Sequence, residues 1–319
     1  MPGESPRMSD ATGVTPILYE ADGLISPGLL PAFRHSSVHG ASIPIVLAVP
    51  HAGRIYPDDV LMQMRDPQSF VLKLEDRLVD TLALAIARET GAALLIADAP
   101  RAMIDLNRDL EDVDWGMVRD KPQQLSRSIH VNRRARGGLG LVPRRLGRNE
   151  IWNAPLPMDE LRRRISQIHG PYHERLSEMI RGIRNRFGSV TLIDLHSMPP
   201  LTKGHFAGAP IEFVLGDRFG ASCEGEISDA VEHILGKGGR NILRNRPYAG
   251  GYVLDRHANP KQSIHAFQLE ICRSLYLDAK FEKLEGDIDS LVTLLAEMVR
   301  EVAMQTIMLG NPPVCEAAQ

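Results

Sequence analysis

Cysteine is scarce: Cys223, Cys272 and Cys315 are all that 319 residues contain, and they lie far apart. An odd, dispersed set builds neither a disulfide framework nor a thiolate metal cluster, which points to a reducing compartment. Also missing is any apolar run near the roughly 18 residues that a membrane span requires. The N-terminus, MPGESPRMSDATG, lacks the apolar centre of a signal peptide. Neither sign of charge dominates, since 37 Lys and Arg against 40 Asp and Glu leave a formal net charge of -3. That balance gives no electrostatic reason to expect nucleic acid or a membrane surface as partner. A soluble, cytoplasmic protein is expected.

What remains is an ordinary globular composition, 43% hydrophobic and 24% charged. Residues 1–15, rich in Pro, Gly, Ser and Asp, read as a disordered tail. No repeat or linker divides the rest, so 16–319 reads as one domain with a long insertion near 120–157. At the centre of that insertion stands the Arg- and Gly-rich RSIHVNRRARGGLGLVPRRLGRNE, 127–150. Short apolar runs at 43–50, 92–98, 190–195, 211–215 and 264–271 predict strands. The first three are continuously apolar, as strands buried on both faces are. Amphipathic stretches at 71–89, 158–187, 221–236 and 281–307 predict helices. Strands separated by helices give an α/β class, with a parallel or mixed sheet covered on both sides.

Ligands of such sheets bind beyond the carboxyl ends of the strands. Here those ends carry polar residues that packing alone does not call for. The run IPIVLAVPHAG (43–53) ends at His51, and VTLIDLHS ends at Asp194 and His196. The strand at 92–98 leads into RAMIDLNRD, with Arg101, Asp105, Asn107 and Arg108. The run IHAFQLEI carries Gln268 and Glu270. Two histidines and a carboxylate make a common catalytic zinc site. His51 and His196 are the imidazole pair, and KLEDRLVDTLALA (73–85) offers Glu75, Asp76 or Asp80 as the carboxylate. Glu270 is then the proton carrier, a carboxylate near the metal without being its ligand.

Each residue alone has a plainer reading. A histidine at a strand end is commonly a packed or hydrogen-bonded one. Acidic residues at a helix start complement the helix dipole. Asp194 fits as the group that fixes the ring of a neighbouring histidine. Glu270 resists such dismissal, because an acid inside an apolar strand is costly to bury without a partner or a task. The arginines add a substrate class, since the guanidinium fork binds carboxylates in bidentate fashion. Arg108 beside Asn107 suits an α-carboxylate, and Arg101 a second anion or the oxygen of a tetrahedral intermediate. Arg133, Arg134, Arg144 and Arg145 of the basic loop are further candidates for an acidic side chain.

In order along the chain stand VPHAG with Tyr56-Pro57 behind it, LEDRLVD, RAMIDLNRD, GLVP…PYH (140–173), DLHSMPP, LGDRFGASC, GGY and HAFQLEI…LYLD. Together these blocks, over about residues 45–278, resemble the N-formylglutamate amidohydrolase family. The resemblance implies a three-layer αβα sandwich around a mixed, mainly parallel sheet, similar to zinc carboxypeptidases. It implies a hydrolase with one zinc ion per chain that cleaves the amide of a small N-acyl amino acid. The expected reaction turns N-formyl-L-glutamate into formate and L-glutamate in histidine breakdown. The family's metal ligands fall on His51, His196 and Asp76, with Glu75 as the alternative to Asp76. Asn107 and Arg108 match a pair that grips the substrate carboxylate, and Glu270 matches the catalytic glutamate. Arg101 joins the zinc in stabilising the oxyanion. Gly250, Gly251 and Tyr252 form a loop lining the pocket, and Gln268 points into it.

Two departures border that pocket. Asp76, Arg77 and Leu78 stand where deformylases of the family carry Asp-Trp-His, and PPLTKGHFAGAPIEFVLGD (199–217) brings an extra His205. Both bear on the acyl group or side chain recognised. The alternative functions are a carboxypeptidase or deacylase for another N-acyl amino acid or peptide, and a non-catalytic binder of such ligands.

Overall fold

The computed structural model describes residues 19–25, 30–122, 133–201 and 210–310. The tail expected over 1–15, the side chains of Arg133 and Arg134, His205 and Cys315 lie outside the described residues. Eight strands form one sheet: β1 (Tyr19–Asp22), β2 (Phe33–Ser36), β3 (Ile45–Val49), β4 (Ala93–Ala97), β5 (Val190–Met198), β6 (Phe213–Gly216), β7 (Ile242–Arg244) and β8 (Ile264–Cys272). Their order is β1-β2-β4-β3-β5-β8-β6-β7. The central four, β4, β3, β5 and β8, run parallel, whereas β2 is antiparallel to β4 and β6 to β8. The sheet is therefore mixed and mainly parallel at its centre.

Strand parity assigns the side chains to two cores. Val46, Ala48, Leu95, Val190, Leu192 and Ala266 face one side. Leu47, Val49, Ile96, Ile193, Phe267 and Leu269 face the other. The helices that cover the sheet include α1 (Pro67–Leu74), α2 (Val79–Thr90), α3 (Gly170–Phe187), α4 (Gly225–Lys237), α5 (Tyr252–His257) and α6 (Ile288–Gly310). Tyr172, Leu176 and Ile183 of α3 close the first core, and Leu82 of α2, Val231 of α4 and Leu295 of α6 close the second. Each fully buried aliphatic side chain contributes about 1.5–3 kcal/mol, so the two faces supply most of the driving force for this layering. Among the described residues no helix is long and apolar enough to cross a membrane.

Several elements differ from the sequence expectation. The helix expected over 71–89 is two helices, because the chain leaves α1 at Glu75 and passes Leu78 in a left-handed conformation, φ 57°, before α2 begins. Within this break the backbone N–H of Asp76 donates to the carbonyl of His51 at 2.9 Å, so the interruption ties the segment to the end of β3. The stretch 158–187 is helical throughout but contains a π-helical turn, Ile165–His169, ahead of α3. The outer strands β1, β2 and β7 escape the apolar pattern because YEAD, FRHS and ILR are too short to show a strand period.

The described part of the 120–157 insertion is anchored to the first core by buried Leu141, Ile151 and Trp152. Arg144 pairs with Asp114 at 3.2 Å, and Arg145 donates to the carbonyl of Arg136 at 2.8 Å. Arg144 thus ties the insertion to the segment before it and Arg145 braces it internally, while Gly137 and Leu139 reach the cavity described next.

Candidate active site and metal centre

Three separate elements bring His51, Asp76 and His196 together at the carboxyl end of the sheet. His51 follows β3, His196 lies within β5, and Asp76 sits in the break between α1 and α2. All three are buried, and their ligand atoms lie within 4.8 Å of one another. Asp76 Oδ2 stands 3.0 Å from Nδ1 of His196 and 3.6 Å from Nδ1 of His51. Gly53 lets this turn form for a reason of its own, since a Cβ there would lie 2.1 Å from the carbonyl oxygen of Ala99.

The far nitrogen of each ring meets a carboxylate. His51 Nε2 donates to Asp105 Oδ1 at 2.7 Å, and His196 Nε2 to Asp194 Oδ2 at 2.9 Å. Because carboxylates only accept, each Nε2 carries a proton, and a cation beside Asp76 would be met by the Nδ1 lone pair of each ring. Nδ1 of His51 is buried with no hydrogen-bond partner among the described residues. A buried acceptor without a donor is unfavourable, and a cation shared with His196 and Asp76 satisfies it. Two imidazole nitrogens and one carboxylate are the donor set of a catalytic zinc site, so these residues fit such an ion.

Electrostatics keep Asp105 and Asp76 charged. Burial opposes ionisation of Asp105, but Arg101, Arg108 and His51 hold it well below the usual carboxylate range. Asp76 is likewise lowered against the effect of burial, by its contacts with His196 and His51. Arg273, just beyond β8, fixes the second oxygen of Asp76, with Nη2 3.3 Å from Oδ1. The same guanidinium donates to the carbonyls of Glu75 and Leu72 and to Ser197 Oγ, so it pins the helix break to β5. Glu75 points elsewhere and pairs with Arg77 at 2.9 Å. Asp76 rather than Glu75 therefore shares the space between the histidines.

His51, Asp76, Arg101, Arg108, His196, Gln268 and Glu270 line a single cavity of about 490 Å³. Glu270 is 8% exposed, and burial pushes its carboxyl up to about 7 while His196 and Arg101 pull against the rise. Arg101 donates through Nε to Asp105 at 2.9 Å. Arg108 gives Nε to the carbonyl of Leu139 and Nη1 to that of Asn107, which makes it a rigid cation in the wall.

Asn107, Gly251 and Tyr252 are not among the residues lining this cavity, although Gly250 is. Asn107 is buried behind the wall, and a Cβ on Gly251 would come within 2.4 Å of its Oδ1. The Tyr252 ring lies against His169 and His173, with centroids 5.8 and 5.2 Å away.

That histidine group was not legible as a unit. His173 donates through Nε2 to the carbonyl of Leu106, and His169 through Nε2 to that of Arg108, both at 3.0 Å. The two rings thus hold the backbone on either side of Asn107. With its Nε2 proton committed, His173 Nδ1 accepts from His257 Nε2 at 3.0 Å. The local signal was PYH, but the π-helical turn that aligns His169 with His173 leaves no mark in the hydrophobic pattern.

Burial holds His169 below its ordinary value and His173 well below it, and pushes His257 down to about 3. The unfolded chain binds these protons near pH 6.5 and the folded chain does not, so stability falls as pH drops from 6.5 toward 3. For His257 alone the loss at pH 5 is about 2 kcal/mol. Urea midpoints at pH 7.5 and 5.0 test this, with a smaller drop expected for His257→Gln than for the parent. Equal drops in both proteins would contradict it.

A sequence model of the N-formylglutamate amidohydrolase family matches residues 43–277. The N-formylglutamate deformylase of Pseudomonas putida is 28% identical over 253 residues, 76% of this chain and 85% of its own. That of Pseudomonas aeruginosa is 28% identical over 248 residues, 74% of this chain and 83% of its own. The crystal structure of N-formylglutamate amidohydrolase from Ralstonia eutropha JMP134 matches with a TM-score of 0.72 at 30% identity, covering 88% of this chain and 97% of that one.

Proposed function

The chain belongs to the N-formylglutamate amidohydrolase family, and from that premise we propose that it hydrolyses N-formyl-L-glutamate to formate and L-glutamate. The observation that carries this reading is the buried His51–Asp76–His196 group beside Glu270, in a cavity walled by Arg101 and Arg108. One zinc ion is assigned to that group, in keeping with its donor set. Zinc bound there supplies Lewis acidity that polarises the scissile carbonyl and acidifies the attacking water.

The chain's own residues do the rest. Glu270 takes a proton from the attacking water as its oxygen bonds to the formyl carbon. The C–N bond then breaks, and Glu270 returns that proton to the departing amine nitrogen, leaving formate and free glutamate. Arg101 faces the negative charge that grows on the carbonyl oxygen. Arg108, already immobilised by two carbonyls, meets a substrate carboxylate with little further loss of side-chain entropy. The proposed setting is histidine breakdown in the cytoplasm.

A panel of N-formyl, N-acetyl and N-succinyl derivatives of Glu, Asp and Gln, assayed for released amine, tests the reading. The expected result is the highest kcat/KM for N-formylglutamate, at least about tenfold above its N-acetyl analogue, since the extra methyl must be accommodated near the metal. A clear preference for another acyl group would make the protein a deacylase of that class. Absence of any turnover by the zinc-loaded protein would leave it a binder.

A further inference from the structure

We infer that Asn107 and Gln268 form a one-way amide relay that positions Glu270, resting on the assignment of Glu270 as proton carrier. Side-chain amides are ambiguous in direction until a partner of fixed polarity decides which end is oxygen. Here that partner is a backbone N–H. Val253 N donates to Asn107 Oδ1 at 3.0 Å, and a backbone N–H can only donate. The amide nitrogen of Asn107 must therefore point the other way, where it reaches Gln268 Oε1 at 3.2 Å. Its remaining neighbours there are Asp194 Oδ2 and His196 Nε2, both at 3.4 Å. With its oxygen committed, Gln268 presents Nε2 to Glu270 Oε1 at 2.8 Å.

Both ends of the relay are fixed. Val253 lies in the first turn of α5, where a backbone N–H has no partner within the helix and is available to a side chain. The start of α5 approaches closely because residue 251 is glycine. On the other side of Asn107, His173 and His169 hold the carbonyls of its two sequence neighbours. Gln268 and Glu270 are two residues apart on β8 and share one face, opposite Asp194 and His196 in register. Asn107 and Gln268 are 4% and 5% exposed, so water competes little for these bonds. The relay occupies one oxygen of Glu270 and leaves the other for the transferred proton. Asn107 and Gln268 act here through Glu270, which makes them positioning residues for the reaction rather than grips on the substrate.

The test uses the full-length zinc-loaded protein with N-formylglutamate, and the variants Gln268→Met, Asn107→Ser and their double. Each single substitution is expected to lower kcat about 10–100-fold, with KM within about twofold and zinc content unchanged. Because both act through the same carboxylate, the double variant is expected to be no slower than the slower single. Multiplied losses would assign the two amides independent tasks and overturn the relay. A raised KM with unaltered kcat would make them substrate contacts, and a fall in zinc content would move their effect to the metal; either overturns it too. Should Gln268→Met fail to fold, Gln268→Asn, one methylene short of Glu270, carries the same expectation and the same overturning results. Failure of the wild-type protein to hydrolyse N-formylglutamate would instead count against the assigned reaction, so the two failures are distinguishable.

Discussion

Glu270→Gln retains its zinc and loses turnover, with kcat expected to fall about 10²–10⁴-fold, the contribution usual for a positioned acid or base. The substitution keeps the shape of the side chain and its place in the cavity wall, and removes only the capacity to accept a proton. Glu270 lies outside the His51–Asp76–His196 group, so metal content is not expected to change. Burial that pushes the carboxyl up to about 7 also places its proton affinity where acceptance and return are both feasible near neutral pH. Metal analysis beside steady-state kinetics gives the answer. A variant that keeps its zinc and more than about a tenth of the parental kcat would remove Glu270 from the reaction.

Replacing either imidazole has the second large effect. His51→Ala and His196→Ala each remove one donor of three, and each is expected to lose stoichiometric zinc together with detectable turnover. Their effects on stability are expected to differ. Without His51, Asp105 keeps Arg101 at 2.9 Å and the backbone N–H of Asn107 at 2.9 Å. Without His196, the buried carboxylate of Asp194 keeps, among the described residues, only the distant amide of Asn107 at 3.4 Å, and its other oxygen has no hydrogen-bond partner among them. Stranding a buried charge costs about 3–5 kcal/mol, so His196→Ala is expected to melt well below His51→Ala. Zinc titration and thermal unfolding of the two variants check both statements. Full zinc occupancy in both would remove the metal centre from these residues.

The strands that carry His51, His196 and Glu270 were legible because an unbroken apolar run that ends in a polar residue has few structural explanations. Asp76 was legible only as one of three nearby carboxylates. Leu72, Leu78, Val79 and Leu82 keep helical spacing across the break, so the pattern concealed the interruption that delivers Asp76. Asp105 stood among the polar residues after β4, but its pairing with His51 was beyond reach of pattern reading, as was Arg273 altogether, because these partners are remote in sequence. The amide of Asn107 looked suited to a substrate carboxylate, yet the fold employs it internally, tied to Val253 and Gln268. Local chemistry announces what a residue can do; which neighbour receives it depends on long-range register.

That register also governs how the protein can change over generations. Asp194 pairs with Gln268 and His196 with Glu270 across β5 and β8. A single-residue insertion or deletion inside either strand would turn these groups to the opposite face and send Ile193, Leu195, Phe267 or Leu269 into the cavity. Such events destroy the centre outright, with no viable intermediate. Length variation would be tolerated in the connections, above all the 120–157 insertion and the turn before α5, which bring Gly137, Leu139, Pro247 and Tyr248 to the cavity rim. A changed substrate would be accommodated by lengthening or shortening those loops, around a hydrolytic frame whose residue count the strand register holds fixed.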